Sequence, residues 1–124
     1  MPGTTFDVDV IAAGEGRVIA LADGGRVFSR GDRGACAYIV KAGRIELRAD
    51  GRAIDEVRPG EIFGQAALID GATYDATAVA VGGAEVIAID RPVFNALLDD
   101  DGDFALAVMR LTARHLRAAM GMIA

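Results

Sequence analysis

The sequence has little of the chemistry that enzymes and metal sites use. Its 124 residues include one cysteine, Cys36, and one histidine, His115. A single chain can therefore form neither a disulfide nor a zinc site of Cys and His ligands. His115 has no obvious Ser or Cys partner in the sequence to activate as a nucleophile. We expect no catalytic site and no metal site.

Aromatic residues are also scarce, and the 18 acidic residues outnumber the 13 basic ones. Aromatics make up 6% of the chain, with no Trp, which argues against a stacking surface for single-stranded nucleic acid. The net charge of −5 disfavours non-specific attraction to a phosphate backbone. No apolar stretch approaches the roughly 20 residues of a membrane span, and no signal peptide is visible. These absences predict a cytoplasmic protein without a membrane partner.

What remains is enough for one domain. Hydrophobic residues make up 52% of the chain, so it can build a core. Thirteen of the 16 glycines fall between Gly14 and Gly83, which predicts short strands joined by tight turns, followed by helices. We therefore expect an N-terminal segment at residues 1–16, a β-barrel at 17–90 and C-terminal helices at 91–124.

Seven short strands can be placed from alternation and turn signals. Asp50-Gly51 is a strong signal for a type I′ hairpin turn, and a two-residue loop would set Leu47 opposite Ile54. Segment 6–10 could be a strand or a distorted helix. The predicted strands cover residues 17–22, 26–29, 37–41, 44–49, 52–57, 75–81 and 85–90, a spacing typical of a barrel or jelly roll.

Two helices follow the strands. Asp90 is a suitable N-cap and Pro92 suits a first turn, which predicts a helix over residues 91–99 and a longer one over about 103–122. The longer helix has two apolar stripes about 140° apart at helical period. His115 lies in the first stripe, where a packed or interface histidine is favoured over a haem ligand. The first stripe holds Phe104, Val108, Leu111, His115, Ala118 and Met122, and the second holds Met109, Ala113, Leu116, Met120 and Ile123.

Residues 60–78 are the most informative segment. They predict a glycine turn, one helical turn and a loop that returns to a strand. Backbone N–H groups at such a turn can bind an anion, although an ordinary barrel connection has the same pattern.

The segment resembles the phosphate-binding cassette of the cyclic-nucleotide-binding domain, the sensor fold of the CRP/FNR regulators. Residues 31–43 are similar to the family's "GD.GD..Y.V..G" and residues 57–68 to its "L.PG..FGE.AL". The resemblance implies a mainly β jelly roll (a double-stranded β-helix barrel) with C-terminal helices.

The charged contacts of the cassette are missing. The family pattern is approximately "FGE.AL.....R.A", in which the acid binds the ribose hydroxyl and the arginine binds the cyclic phosphate. By direct register, Gln65 stands at the acid position, Tyr74 at the arginine position and Asp75 at the small residue that follows. An ion pair at about 4 Å is worth about 4 kcal/mol at an effective dielectric of about 20, so this loss should weaken binding by orders of magnitude. The candidate ligand-binding positions are Phe63, Gly64, Gln65, Ala66, Ala67, Leu68, Tyr74, Asp75, Ala76 and Thr77.

The sequence therefore predicts a non-catalytic sensor or regulatory module that does not take cyclic AMP or cyclic GMP in the standard way. The alternative is a genuine cyclic-nucleotide receptor that uses non-standard contacts. We expect no other cofactor, and no direct DNA binding, since the chain ends at Ala124 without room for a helix-turn-helix. The resemblance implies a homodimer through the long helix, with Phe104, Val108, Leu111 and His115 as the candidate interface. A protein partner is a further alternative.

Overall fold

The structure is a computed structural model and describes residues 16–121. Segment 6–10 and nearly all of the predicted N-terminal segment lie outside the described residues. The strands are β1 (Arg17–Leu21), β2 (Arg26–Phe28), β3 (Cys36–Ala42), β4 (Ile45–Ala49), β5 (Arg52–Val57), β6 (Ile62–Phe63), β7 (Thr77–Ala80) and β8 (Ala84–Asp90). The helices are α1 (Gln65–Asp70), α2 (Arg91–Asp100) and α3 (Gly102–Ala119).

The strands form two antiparallel four-stranded sheets. Their orders are β1-β8-β3-β6 and β2-β7-β4-β5, so each sheet combines strands that are far apart in the chain. One core cluster lies between the sheets, because it draws buried side chains from both, such as Ile45 on β4 and Val86 on β8. A second cluster includes Ile39 and Ile87, whose chain neighbours Val40 and Val86 belong to the first. This alternation is the period of two that strands impose.

The β4–β5 hairpin confirms one prediction and corrects another. Asp50 and Gly51 both have positive φ, 54° and 77°, as a type I′ turn requires. However, Leu47 pairs with Asp55 and not with Ile54, because the register shifts between Leu47 and Arg48. A β-bulge of this kind adds one residue to a strand, and the sequence pattern gives no signal for it.

Strand β6 was not predicted from the sequence. Its two residues pair with Tyr38 and Ile39 of β3. A two-residue strand is too short to show alternation, so only the long-range pairing reveals it.

Helix α2 begins after its predicted cap, and α3 begins one residue before its predicted start at about residue 103. The Asp90 side chain accepts a hydrogen bond from the Val93 N–H, and the Asp101 side chain accepts one from the Phe104 N–H. On the inner face of α3, Phe104, Val108 and Leu111 are buried against α2 and the β3-β6-β8 sheet. They are covered within one chain, which leaves little of this stripe exposed for a second chain. The stripe exposed to solvent is the second one, with Met109, Leu116 and Met120 between 60% and 64% exposed.

Candidate functional site

Helix α1 is positioned by two close approaches of the backbone. Gly64, which precedes the helix, has φ 77°, and a Cβ there would lie 3.1 Å from the Phe28 ring and 3.3 Å from the Tyr74 ring. Gly34 packs so tightly on α1 that a Cβ would lie 2.5 Å from the Cβ of Ala67. Both glycines are therefore needed for α1 to lie against the barrel.

Tyr74 is fixed in the wall of the site. Its ring stacks on Phe28, with 3.7 Å between centroids and 8° between planes. Its hydroxyl donates to the Cys36 carbonyl at 2.6 Å and accepts from the Cys36 N–H at 3.2 Å. Burial raises the pKa of Tyr74 despite these hydrogen bonds, so the phenol is neutral at physiological pH. Tyr74, which the sequence motif predicts at the arginine position, thus serves as a neutral structural contact with β3.

Gln65 is buried, with 1% of its surface exposed, at the start of α1. Its Nε2 donates to the Thr112 hydroxyl on α3 at 2.9 Å, and that hydroxyl donates to the Val108 carbonyl at 2.7 Å. Because the one hydroxyl proton of Thr112 is already used, the amide must present Nε2 to it. Gln65 Oε1 then has no hydrogen-bond partner among the described residues.

A cavity of about 150 Å³ lies between the barrel, α1 and α3. Six of the candidate ligand-binding positions line it: Gly64, Gln65, Ala66, Ala67, Tyr74 and Asp75. The other lining residues are Phe28, Leu47, Ile54, Thr112, His115, Leu116 and Ala119. Within the described chain, none of the residues around this cavity is an arginine or a lysine.

The remaining four candidate positions do not line the cavity. Phe63 and Ala76 belong to the core between the sheets, and Leu68 belongs to the core under the helices. The Thr77 hydroxyl accepts a hydrogen bond from the Arg30 N–H at 3.0 Å. In this structure, three of these residues pack in the core and Thr77 bonds to the backbone of Arg30.

Arg114 holds α3 over the cavity. Its guanidinium donates to both carboxylate oxygens of Glu61, at 2.9 and 3.1 Å, and to Asp55 Oδ2 at 3.3 Å. Burial alone would raise the pKa of Glu61, but the hydrogen bonds from Arg114 and from the Arg58 backbone lower it overall. The hydrogen bond to Glu61 raises the pKa of Arg114 in turn. The guanidinium is therefore already engaged by carboxylates of the protein itself.

His115 lies at the same site. It lines the cavity, and its Nε2 lies 3.4 Å from Asp55 Oδ2 without the alignment of a hydrogen bond. Burial lowers the pKa of His115 more than the attraction of Asp55 raises it. The imidazole is therefore neutral near pH 7. Residues 16–121 contain no group of three or more His, Cys, Asp or Glu side chains that could hold a metal ion.

Sequence reasoning missed the α3 side of the site. Thr112, His115, Leu116 and Ala119 recur at helical spacing and face the cavity together. Spacing alone shows that they share a face, but it gives no indication of which part of the barrel that face covers. Phe28, on β2, also lines the cavity, and the sequence gives no indication that this strand lies beside the cassette.

Comparison with known proteins identifies this arrangement. The cyclic nucleotide-binding domain family matches residues 18–101. The chain belongs to this family. The cyclic AMP receptor protein of Thermus thermophilus is 34% identical over 98 residues, which are 75% of this chain and 45% of that protein. The chain thus spans less than half the length of this curated relative.

Solved structures of the family have the same fold. The crystal structure of the Thermus thermophilus catabolite activator protein has a TM-score of 0.74 and 32% identity, over 90% of this chain and 55% of that one. A cyclic nucleotide-binding-like protein from Brucella abortus has a TM-score of 0.60 and 37% identity, over 73% of this chain and 82% of that one. The predicted jelly roll with C-terminal helices is confirmed. In the described part of this family member, no helix is long and apolar enough to cross a membrane.

Proposed function

We propose that this chain is a non-catalytic regulatory module whose pocket does not accept cyclic AMP or cyclic GMP in the family's standard manner. The observation that carries the proposal is the state of Tyr74. A neutral side chain, stacked on Phe28 and bonded to the Cys36 backbone, stands where the sequence motif assigns the phosphate-binding arginine.

Charge and size support the same conclusion. Asp75 adds a carboxylate to the wall of the cavity, and Arg114, the chain neighbour of the cavity-lining His115, is engaged by Glu61 and Asp55. A cyclic phosphate would therefore meet negative charge without a compensating partner. The cavity of about 150 Å³ is also smaller than the roughly 300 Å³ at which sites for drug-sized ligands begin.

Calorimetric titration with cyclic AMP and cyclic GMP tests this function. We expect no saturable heat from either nucleotide up to about 1 mM, which corresponds to about −4 kcal/mol of binding free energy. Micromolar binding of either nucleotide would instead favour the alternative, a receptor that uses non-standard contacts.

We also propose that the module works as a homodimer, with the exposed stripe of α3 as the contact. Met109, Leu116 and Met120 follow one another at helical spacing and leave an apolar surface that the chain itself does not cover. A surface that repeats along one helix can pair with its own copy about a two-fold axis. This stripe replaces the buried one as the candidate interface.

A further inference from the structure

We propose that the outer face of the β2-β7-β4-β5 sheet binds an extended acidic segment of a partner protein. This face carries a large share of the positive charge of an acidic chain. The inference does not depend on what the cavity under α3 accepts, because none of the arginines that carry it lines that cavity.

Strand alternation places arginines on this face. Ile45 and Leu47 of β4 are buried in the core between the sheets, so Glu46 and Arg48 face outward. Arg26 belongs to β2, which lies on the other side of β7. The strands on both sides of β7 therefore present a guanidinium to the groove that runs over it.

Two grooves cross the face and meet at Val81, which lines both of them. Five arginines line these grooves, out of 13 basic residues in a chain whose net charge is −5. We call this surface the arginine face. Its first groove contains Arg26, Arg30 and Arg48, and its second groove contains Arg44 and Arg58.

The arginines outnumber the carboxylates of the face by one. Glu56 Oε2 is shared by Arg44 Nη1 at 3.6 Å and Arg58 Nε at 3.4 Å. Arg26 has no carboxylate partner among the described residues, and its guanidinium donates to the Ser29 hydroxyl at 3.3 Å. An excess of positive charge remains, which carboxylates of a second molecule can neutralise. The four carboxylates of the face are Asp23, Glu46, Asp50 and Glu56.

Each guanidinium of the face also has donors that the protein does not use. A guanidinium carries five N–H groups on three nitrogens, and the described contacts of each of these side chains involve one nitrogen. Arg114, by contrast, uses all three of its nitrogens. The other nitrogens of the face are therefore free to form bidentate hydrogen bonds with carboxylates. The nitrogens already in contact are Nη1 of Arg26, Arg30 and Arg44, and Nε of Arg48 and Arg58.

The ion pairs within the face can be exchanged for pairs with a partner. The side chains of Arg44 and Arg58 are 54% and 72% exposed. Ion pairs at such exposed positions are weak, because water screens the charges and the long side chains lose freedom when they pair. A carboxylate of the partner can therefore replace Glu56 at either arginine without a large loss of stability.

The spacing of the arginines fits an extended segment. Arg44 directly precedes β4 and Arg48 lies four residues later, a separation of about 13 Å. An extended chain rises by the same distance per residue, so acidic residues four positions apart reach both grooves. Nucleic acid fits less well, because no aromatic residue lines either groove and the net charge of −5 repels a polyanion.

NMR titration of the full chain with hexaglutamate tests the proposal. We expect saturable shifts of the backbone amide signals of β4 and β7 below about 1 mM peptide. Binding should weaken about tenfold when NaCl is raised from about 20 mM to about 200 mM, because salt screens the charges. Hexalysine should leave the signals of these two strands unchanged.

Paired substitutions separate the arginine face from the net charge. Arg44→Gln with Arg48→Gln should weaken hexaglutamate binding about tenfold, since each exposed ion pair contributes a few-fold in affinity. Arg110→Gln with Arg117→Gln is the matched control, because both residues are exposed on α3 and the net charge changes by the same amount. The control should change the affinity less than about twofold. Equal weakening by the two pairs would overturn the proposal.

The natural chain provides the remaining tests without any variant. Absence of saturable binding overturns the proposal, and so do shifts confined to α1 or α3. An oligothymidylate that shifts the β4 and β7 signals at lower concentration than hexaglutamate would assign the face to single-stranded nucleic acid instead. These titrations contain no cyclic nucleotide, so none of their outcomes alters the proposed function.

Discussion

The guanidinium of Arg114 on α3 spans both carboxylate oxygens of Glu61, at 2.9 and 3.1 Å. The two side chains are 29% and 13% exposed, so water screens them only in part. A third contact reaches Asp55, and a fourth reaches the Glu56 carbonyl at 3.3 Å. These contacts join the last helix to β5 and to the segment before β6.

Removing this network should destabilise the protein measurably. We expect Arg114→Met to lower the free energy of unfolding by about 2 kcal/mol, because it leaves buried carboxylate oxygens unpaired. Arg30→Met is the matched control, since Arg30 and Asp50 form an ion pair whose side chains are 54% and 83% exposed. Exposed pairs contribute about 0.2–1 kcal/mol. Equal effects of the two substitutions in urea unfolding would contradict the role of Arg114.

His115 should make stability depend on pH. Because burial lowers its pKa below the ordinary value of 6.5, the unfolded chain binds the imidazole proton at higher pH than the folded chain does. The contribution of the neutral imidazole to the free energy of unfolding is therefore fully present above pH 6.5. It decreases as the pH falls from there toward the folded-state pKa. Asp55 and Glu61 oppose this shift, whereas Arg114 adds to it.

Urea unfolding between pH 7.5 and pH 5 measures this effect. His115→Gln should flatten the profile, and since the chain has one histidine, no other imidazole contributes. The pKa of Glu61 is lowered from 4.5, so its protonation affects stability below this pH range and does not contribute to the change measured there. A stability that increases as the pH falls from 7 would show that the attraction of Asp55 outweighs burial.

The contact of Gly34 with α1 predicts a steric effect. Gly34→Ala would bring a methyl group within 2.5 Å of the Ala67 Cβ and 3.0 Å of the Ala72 carbonyl oxygen. We expect a loss of about 1–3 kcal/mol in thermal or urea unfolding, as overpacking usually causes. Gly102→Ala, where a Cβ has nothing within 4 Å, should be neutral or slightly stabilising. If both variants had the same stability, α1 would not be held by this contact.

The charged contacts that the family motif assigns to positions 65 and 74 can be introduced by substitution. We expect Gln65→Glu, Tyr74→Arg and Asp75→Ser together to produce cyclic-nucleotide binding that exceeds the sum of the single changes, because the three sites line one cavity. The arginine would supply charge-assisted hydrogen bonds to the phosphate, and the serine would remove the repulsion. Titration with cyclic AMP and cyclic GMP measures the gain.

Tyr74→Arg alone is the control for that experiment. It loses the ring contact with Phe28 and both hydrogen bonds with Cys36, so we expect lower stability without nucleotide binding. A folded triple variant that binds neither nucleotide would show that the size of the cavity, and not its charge, prevents binding.

The exposed stripe of α3 predicts the oligomeric state. We expect the natural chain to sediment as a dimer at micromolar concentration and Leu116→Glu to sediment as a monomer, since a buried charge would oppose the contact. Val18→Glu is the control, because Val18 is an exposed apolar residue on β1 at 41% exposure. A monomeric natural chain would refute the homodimer.

Much of the fold follows from the sequence, because glycine turns, caps and alternation are local signals. Asp50-Gly51, Asp90 and the glycine spacing around α1 each specify a backbone geometry without reference to the rest of the chain. The bulge after Leu47 and the pairing of β6 depend on distant partners, and local patterns do not contain them. For the same reason the sequence showed two apolar stripes on α3 but not which of them the barrel covers.

The candidate site could likewise be predicted from the sequence only in part. The register of the cassette located Gln65, Tyr74 and Asp75, which the structure places around one cavity. It gave no indication that Thr112 fixes the amide of Gln65 or that Tyr74 bonds to Cys36, since each pair is separated by dozens of residues. These partners constrain the side chains of the site, and only the three-dimensional arrangement shows them.

The two hydrogen bonds between Tyr74 and Cys36 also limit which substitutions at position 74 the folded protein tolerates. A change to arginine at position 74 removes these bonds at once, whereas we expect its electrostatic benefit only when positions 65 and 75 change as well. The loss of stability should therefore precede any gain in nucleotide binding. Position 74 is entrenched by its structural contacts, and exchange to phenylalanine, which keeps the stacked ring, is the substitution that this site should tolerate best.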